Sequence, residues 1–307
     1  MRKIASWLIL ALFAVLLTAC SAGPEYKRVQ LTAPGQAQPN PSGQPTRAPL
    51  RVAISGVISP KETFKTYQDL LQYISKKLNR PVELVQRKTY AEVNDLIRDG
   101  GIDLAFVCTL AYVQGQQDFG MELIAAPVIN GEPLYRAYVI VPADSPVVRL
   151  EQLRGKTFAF TDPNSNTGRL YPTYLLWQSG ENPDGFFRSV VFTYSHDNSI
   201  KAVADRMVDA ASVDSLVYEA AISRNPELAE RTRVLLRSVP FGAPPVVVHP
   251  ALSPDLKEAL SKIILGLDVD PEGQAILSGL GIDRFMVPDQ AIYEPVRQMV
   301  RELRGQR

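Results

Sequence analysis

The chain has 307 residues, and its 33 lysines and arginines nearly balance 32 aspartates and glutamates, for a formal net charge of +1. That balance gives no sign of a nucleic-acid-binding surface, which needs a basic stripe or patch, but small anions stay open because helix N-termini supply positive potential locally. With only two cysteines and two histidines, and no paired Cys/His spacing, neither a metal site nor a cofactor is expected.

The first 20 residues read as an address. Arg2 and Lys3 form a short positive region, and the apolar run from Ile4 to Leu17 is shorter than the roughly 20 residues a bilayer span needs. Leu17-Thr18-Ala19-Cys20 then resembles a bacterial lipobox. Residues 1–19 are therefore expected to be a lipoprotein signal peptide, with Cys20 lipidated and the protein held outside the cytoplasm on a bacterial membrane. An ordinary cleaved signal peptide and an uncleaved anchor are the other readings. With Cys20 in a thioether, Cys108 has no partner for an intrachain disulfide. Residues 20–49, rich in proline and glycine and almost without aromatic or β-branched residues, cannot bury enough surface to offset ordering, and are expected to be a disordered tether.

From Leu50 onward short apolar runs alternate with helical periods. Residues 50–57 read as a buried strand, and Tyr67, Leu70, Leu71, Ile74 and Leu78 share one face of a helix expected over 66–78. A strand is expected over 81–86, a helix over 90–99 and a strand over 102–107, with further strands over 121–128 and 135–141. This β-α-β-α-β order predicts a parallel sheet covered by helices on both faces. A second unit has strands expected over 156–161 and 188–194, helices over 170–178 and 199–208, and extended segments over 233–239 and 245–249. In the tail, Ser253-Pro254 and Asp270-Pro271 each place an N-cap type before a proline at the first helical position. Tyr293, Val296, Met299 and Val300 stripe a last helix.

The segment Thr161-Asp162-Pro163-Asn164-Ser165-Asn166-Thr167-Gly168 follows an apolar strand and precedes an amphipathic run. Such a loop leaves backbone N–H groups pointing out at a positive helix end, with the Ser165 and Thr167 hydroxyls and the Asn166 amide as further donors. It is either an oxyanion cradle or a plain capped helix entry, and Pro172 leaves the N-cap position open. His196, in Tyr194-Ser195-His196-Asp197-Asn198, sits at a second strand-to-helix junction, either as a ligand or as a capped core histidine. Ligands of open α/β sheets bind outside the carboxyl ends of the strands, where both loops converge. Asp214 is a third candidate, as a helix cap or as a ligand.

The set TDPNSNTG (161–168), YSHD (194–197) and AASVDSLVY (210–218), with LRGKTFAF (153–160) opening the second unit, resembles the phosphate/phosphite/phosphonate solute-binding family of ABC importers. YAEVNDLIRDGGIDLAFV (90–107), Ala111-Tyr112 and Arg237-Ser238-Val239-Pro240-Phe241-Gly242 fit as well, so the resemblance spans about residues 50–300. It implies an α/β fold of the periplasmic-binding-protein type II kind, with two Rossmann-like lobes, a hinge and a central cleft. Lobe 1 would comprise 50–140 and 241–307, and lobe 2 residues 141–240. It also implies that Ser165, Asn166, Thr167 and Gly168 together with His196 hold phosphonyl oxygens, that no cofactor is needed, and that a single chain serves an ABC permease. The chain departs from the family at Val107-Cys108-Thr109, where an aromatic is often found, and Phe241-Gly242-Ala243-Pro244 lacks an acid for an ammonium group. Thr109, Tyr90 and Tyr67 remain as first-lobe candidates, each equally able to be core or rim.

Two other readings compete. A binding lipoprotein feeding a membrane sensor would have the same ligand site. A secreted hydrolase would use Ser165, His196 and Asp214 as a triad, but no Gly-X-Ser-X-Gly elbow exists, and Leu150 stands where a phosphate-binding P-loop ending at Arg154-Gly155-Lys156-Thr157 needs its first glycine.

Overall fold

The computed structural model describes residues 29–30 and 48–305. The expected signal peptide, the lipidation site Cys20 and most of the tether lie outside the described residues. Within the tether, Val29–Gln30 (β1) departs from the expectation of disorder: it pairs antiparallel with Glu83 and Leu84, at the edge of the first sheet.

The first lobe begins as the sequence predicts. Leu50–Ile54 (β2) leads to the helix Pro60–Leu78 (α1), then Val82–Val85 (β3), the helix Tyr90–Arg98 (α2) and Leu104–Phe106 (β4). β3, β2 and β4 pair in parallel. α1 starts six residues before the expected Thr66, because Pro60 opens it and its first turn is polar. Thr89 and Glu92 form a reciprocal capping box at the start of α2. The helix Thr109–Phe119 (α3) escaped prediction because residues 109–113 are buried all round and leave no amphipathic stripe. It contains Gly115, where a Cβ would lie 2.4 Å from Met121 Cε. Glu122–Val128 (β5) follows.

Leu134–Tyr135 (β6) then carries the chain across to Ala137–Pro142 (β7), an interior strand of a second sheet. That sheet continues with Thr157–Phe160 (β8), Ser189–Phe192 (β9), Ala210–Asp214 (β10) and Thr232–Arg237 (β11), in the order β11-β7-β10-β8-β9. Its helices include Tyr171–Gln178 (α4), His196–Ala204 (α5) and Ser215–Arg224 (α6). β7 crosses the 140/141 lobe division expected from sequence and lies wholly in this second sheet, because β10 and β11 pair along it. Phe241–Gly242 (β12) returns beside β6, and the two crossings form an antiparallel ribbon.

Each crossing dictates a strand direction. Coming off the ribbon, Val246–Val248 (β13) enters the first sheet at the carboxyl end of β4, so it runs antiparallel to β4 and β5. β7 likewise enters at the carboxyl end of β10, with Ala137 opposite Asp214, and runs antiparallel to it. The expected parallel sheet is therefore mixed, and Arg284–Met286 (β14), unforeseen in the sequence, adds an antiparallel edge. Helices Pro254–Leu265 (α7), Pro271–Leu280 (α8) and Glu294–Arg304 (α9) complete the first lobe. Both expected proline-led helix starts are present, although only Asp270 caps with its side chain.

β7 shows why the middle of the second sheet is internal. Val139 and Val141 pack on one face with Phe158 and Phe160, while Tyr138 and Ile140 pack on the other with Ala159, Ala211 and Val213. A strand buried on both faces has a continuous apolar run. Phe158 is fully buried and stacks on Phe187, with ring centroids 4.4 Å apart. Replacing it with alanine leaves a cavity between sheet and helices, and should cost about 3–5 kcal/mol, measured as a lowered urea midpoint of the second lobe.

Candidate ligand-binding site

The ribbon holds the carboxyl ends of both sheets toward each other, and the segments that leave those ends meet between the lobes. The loop after β8 is the densest. Ser165 is an N-cap whose Oγ accepts from Gly168 N–H at 2.9 Å, leaving its own O–H to donate. Residues Asn166–Leu170 form a single π-turn, closed by Leu170 N–H on Ser165 O, before α4 begins. Pro172 explains this turn, since it has no N–H for the carbonyls behind it. Gly168 O takes Thr161 N–H instead, and Thr167 O takes the Ser212 hydroxyl. Gly168 is required by space: a Cβ there would sit 2.5 Å from Thr161 Oγ1 and 2.9 Å from Ser165 Oγ.

His196 opens α5 after Tyr194, which takes the left-handed conformation (φ 60°) at the end of the β9 loop. The ring Nδ1 accepts the Asp214 backbone N–H at 3.0 Å and lies 3.1 Å from Thr161 Oγ1. Nδ1 is thus an acceptor, and the proton of the neutral imidazole sits on Nε2, which becomes the donor it can offer. Burial holds the imidazolium pKa down at about 3, against a smaller opposing pull from Asp197. Asp214 caps α6, with Oδ1 accepting from Leu216 and Val217 N–H. Burial pushes its carboxyl up to about 7 despite those two donors. A hydrolytic triad is not built here, because a backbone N–H, not a carboxylate, orients the imidazole.

The first lobe meets this surface directly. Val57 O accepts His196 N–H at 2.9 Å, Ser59 N–H donates to Asp197 Oδ1 at 3.0 Å, and Tyr90 N–H donates to Asp162 Oδ2 at 3.2 Å. Ser59 is the N-cap of α1 and Tyr90 the first residue of α2, so two second-lobe carboxylates cap two first-lobe helices. Lys88 lies 4.4 Å from the centre of the Tyr194 ring. Burial pushes the Cys108 thiol up to about 11, against a smaller opposing pull from the backbone N–H groups of Asn166 and Leu110.

In this interlobe layer the side-chain oxygens of Ser55, Tyr90, Asn166, Thr167 and Ser195 are buried without a hydrogen-bond partner. Each such group costs about 1–3 kcal/mol, so a cluster of them points to a ligand that supplies the partners. Four are hydroxyls. The Asn166 amide donates from Nδ2 to Tyr135 Oη at 3.0 Å; exchanging its O and N keeps that contact and turns an NH₂ donor toward the unpaired side. Beside this layer opens a cavity of about 160 Å³, whose lining includes Ser55, Tyr67, Phe106, Asp214 and Leu216.

Of the residues singled out in the sequence, Ser165, Asn166, Thr167, Gly168, His196, Asp214 and Tyr90 lie in this layer, and Tyr67 faces the cavity. The Tyr67 hydroxyl is pushed up to about 12 by burial and then by the charge of Asp214. Thr109 is placed differently: its hydroxyl donates to Gly242 O at 2.8 Å and braces the ribbon. Ser55 and Ser195 were missed. Both follow strands at their carboxyl ends, and that position was the signal available for them.

Residues 52–293 match the family described as the periplasmic substrate-binding protein of phosphonate ABC transporters. The chain is 27% identical over 263 residues to the phosphonates-binding periplasmic protein of Escherichia coli, covering 83% of this chain and 78% of that one. It is 28% identical over 206 residues to the phosphate-import protein of Mycolicibacterium smegmatis, covering 64% of each. Among solved structures, a binding protein of a phosphonate ABC transporter from Pseudomonas aeruginosa superposes with a TM-score of 0.76 at 24% identity, over 81% of this chain and 84% of that one. A Prochlorococcus marinus protein in complex with methylphosphonate superposes with a TM-score of 0.75 at 21% identity, over 83% and 98%. Both share the two-lobed α/β fold.

The buried carboxyl gives a pH signature. The folded chain keeps the Asp214 proton up to about pH 7, whereas the unfolded chain releases it near about 3.9. The folded state therefore binds more protons between those values, and stability present below pH 4 is lost as pH rises through 7. Asp214→Asn keeps the Oδ1 cap and removes the titration. Its melting temperature should exceed that of the parent at pH 8 and match or fall below it at pH 4.

Proposed function

Since the chain belongs to the phosphonate periplasmic substrate-binding family of ABC transporters, we propose that it captures a phosphorus oxyanion between its lobes in the layer formed by residues 165–168, 195–196, 55 and 90, for delivery to an ABC permease. The family is a transport component, not an enzyme. The observation that carries the assignment of the site is the group of buried hydroxyls without partners at Ser55, Tyr90, Thr167 and Ser195, gathered around the Ser165 cap and the His196 imidazole. The relatives bear the names of phosphonate-binding, phosphate-import and phosphite-binding proteins, and these ligands share a tetrahedral phosphorus with oxygens that accept hydrogen bonds.

All the donors in this proposal are neutral. Hydrogen bonds to a charged oxygen contribute roughly 1.5–3 kcal/mol each, and a water-free gap strengthens them. Asp214 supplies selection. With the carboxyl pushed up to about 7 by burial, selection belongs to its ionised form above that pH: the carboxylate accepts the proton of a P–OH group, whereas a sulfate, which carries none, would face it unprotonated. The division into lobes that fits this reading places 50–128 and 246–305 on one side and 137–237 on the other, with the ribbon as hinge. Lipidation at Cys20 and a tether over 20–49 would hold a single chain outside the cytoplasm within reach of its permease.

Thr167→Val tests the site, because valine matches threonine in shape and lacks the unpaired hydroxyl. The ligand-free variant should be as stable as the parent or more so, while affinity for the preferred anion falls about 10- to 150-fold. A thermal-shift series of phosphate, phosphite, methylphosphonate and sulfate, followed by calorimetry on the strongest, measures both. Unchanged affinity in the variant would remove Thr167 from the site, and the absence of any shift with phosphorus anions would remove the function.

A further inference from the structure

We infer that Asp197 and Asp162 form a closure latch: they hold the lobes together over the bound anion without touching it, and so set how long the ligand stays. The inference rests on the oxyanion reading above and concerns the regulation of that site. Each carboxylate lies in a loop of proposed donors, Asp162 three residues before Ser165 and Asp197 next to His196. The two loops are tied to each other, because Tyr194 N–H donates to Thr161 O at 2.7 Å and Thr161 Oγ1 lies 3.1 Å from His196 Nδ1. From these loops Asp197 Oδ1 accepts Ser59 N–H at 3.0 Å, Asp162 Oδ2 accepts Tyr90 N–H at 3.2 Å, and His196 N–H donates to Val57 O at 2.9 Å. The two carboxylates thus grip the starts of α1 and α2, where backbone N–H groups have no partner in their own helix and a negative charge is favoured.

The distribution of donors sets the order of events. Ser165, Asn166, Thr167, Gly168, Ser195 and His196 belong to the second lobe, and only Ser55 and Tyr90 to the first. The anion therefore docks on the second lobe, and the first lobe follows when α1 and α2 reach Asp197 and Asp162. A bond made after docking is absent at the encounter, so its removal raises koff and leaves kon nearly unchanged. An ionised carboxylate has no proton to donate to an oxyanion, which keeps both aspartates out of the ligand's own contacts. Asp162 also accepts Asn164 N–H at 2.7 Å inside the donor loop, so replacing it would disturb loop and latch together. Asp197 carries no such second duty. Its removal leaves His196 neutral, since burial, the larger effect, already decides the charge of that ring.

The bond between Asp197 and Ser59 can be removed from either lobe. Asp197→Ala takes away the acceptor, and Ser59→Pro takes away the N–H at a φ of −57°, which proline adopts. Stopped-flow kinetics use phosphate, phosphite or methylphosphonate, whichever raises the melting temperature most. Each variant should show koff about 2- to 30-fold above the parent, the range for a lost helix cap, with kon within about twofold. Asp197→Asn, which retains Oδ1, should recover most of the loss. The double variant should release ligand no faster than the worse single, because both changes break one bond. Spin labels at Lys65→Cys and Lys201→Cys, exposed on α1 and α5, report closure without ligand in a Cys20→Ser background. Their shorter-distance population should shrink in Asp197→Ala. Unchanged koff, a fall in kon alone, or single effects that multiply in the double variant would overturn the inference and leave the oxyanion site standing. If no phosphorus anion binds, the functional reading fails first, and the label distances still decide the latch: identical distributions in the parent and Asp197→Ala would remove it.

Discussion

The fold turns on one geometric constraint: the two crossings between lobes pair with each other, and each delivers its next strand into a sheet from the carboxyl side. Tyr135 opposite Phe241 and Leu134 opposite Gly242 fix the ribbon. β7 and β13 consequently run against their neighbours, and the carboxyl ends of both sheets face a common gap. Helices begin where strands end, so the N-termini of α1, α2, α3, α5 and α6 and the π-turn before α4 border that gap. Helix N-termini carry unsatisfied N–H groups and a partial positive charge. Three of them find partners across the gap: those of α1 and α2 on Asp197 and Asp162, and that of α5 on Val57 O. Parting the lobes hands those N–H groups back to water, at about 1 kcal/mol for a typical cap, while it also rehydrates the unpaired hydroxyls. The closed arrangement is held by opposing terms of similar size, and a ligand that pairs the hydroxyls tips the balance by mass action.

The donors proposed for the oxyanion are neutral groups. No lysine or arginine lies among the oxyanion donors proposed, and His196 stays uncharged because burial disfavours the imidazolium. Its tautomer is fixed from behind by the Asp214 N–H. The same peptide thus sets the imidazole's donor and carries the carboxyl that titrates near 7. A site of neutral donors discriminates by geometry and proton placement, and gives up the non-specific attraction that a cationic pocket would exert on every anion.

Most of the fold was legible because its strands and helices follow strong periods: the stripe of α1, the apolar runs of β2 and β7, and the proline-led starts of α7 and α8. Where prediction missed, tertiary context had replaced the period. α3 is buried all round at its start, so it shows no stripe, and β14 is a three-residue edge whose partner lies more than 150 residues away. Strand direction in the mixed sheet is a property of the ribbon and cannot be seen in β13 itself. Most of the second-lobe residues proposed for the site were readable because they lie in contiguous loops of donors, though Ser195 was passed over beside His196. In the first lobe Tyr90 was singled out and Ser55 was not: Ser55 is one hydroxyl after an ordinary strand, and Thr109, which also carries a hydroxyl just beyond a strand, turns it to Gly242 instead.

Ser55 and Thr109 contrast a hydroxyl that the fold leaves unpaired with one that it uses. Both are fully buried at the end of a first-lobe strand, and both side chains offer the same donor. Gly242 is held tightly against the tail, where a Cβ would come within 2.9 Å of Tyr293 and Ile292, so its carbonyl stays within reach of Thr109 and the bond closes inside one lobe. Ser55 faces a gap that the second lobe borders with donors of its own, at Thr167 and Ser195, so no acceptor is fixed there by the fold. Hydroxyls left unpaired side by side can all donate at once to a group rich in acceptor oxygens. The chemistry of the ligand is therefore set less by any single residue than by the fold's failure to supply acceptors on this surface.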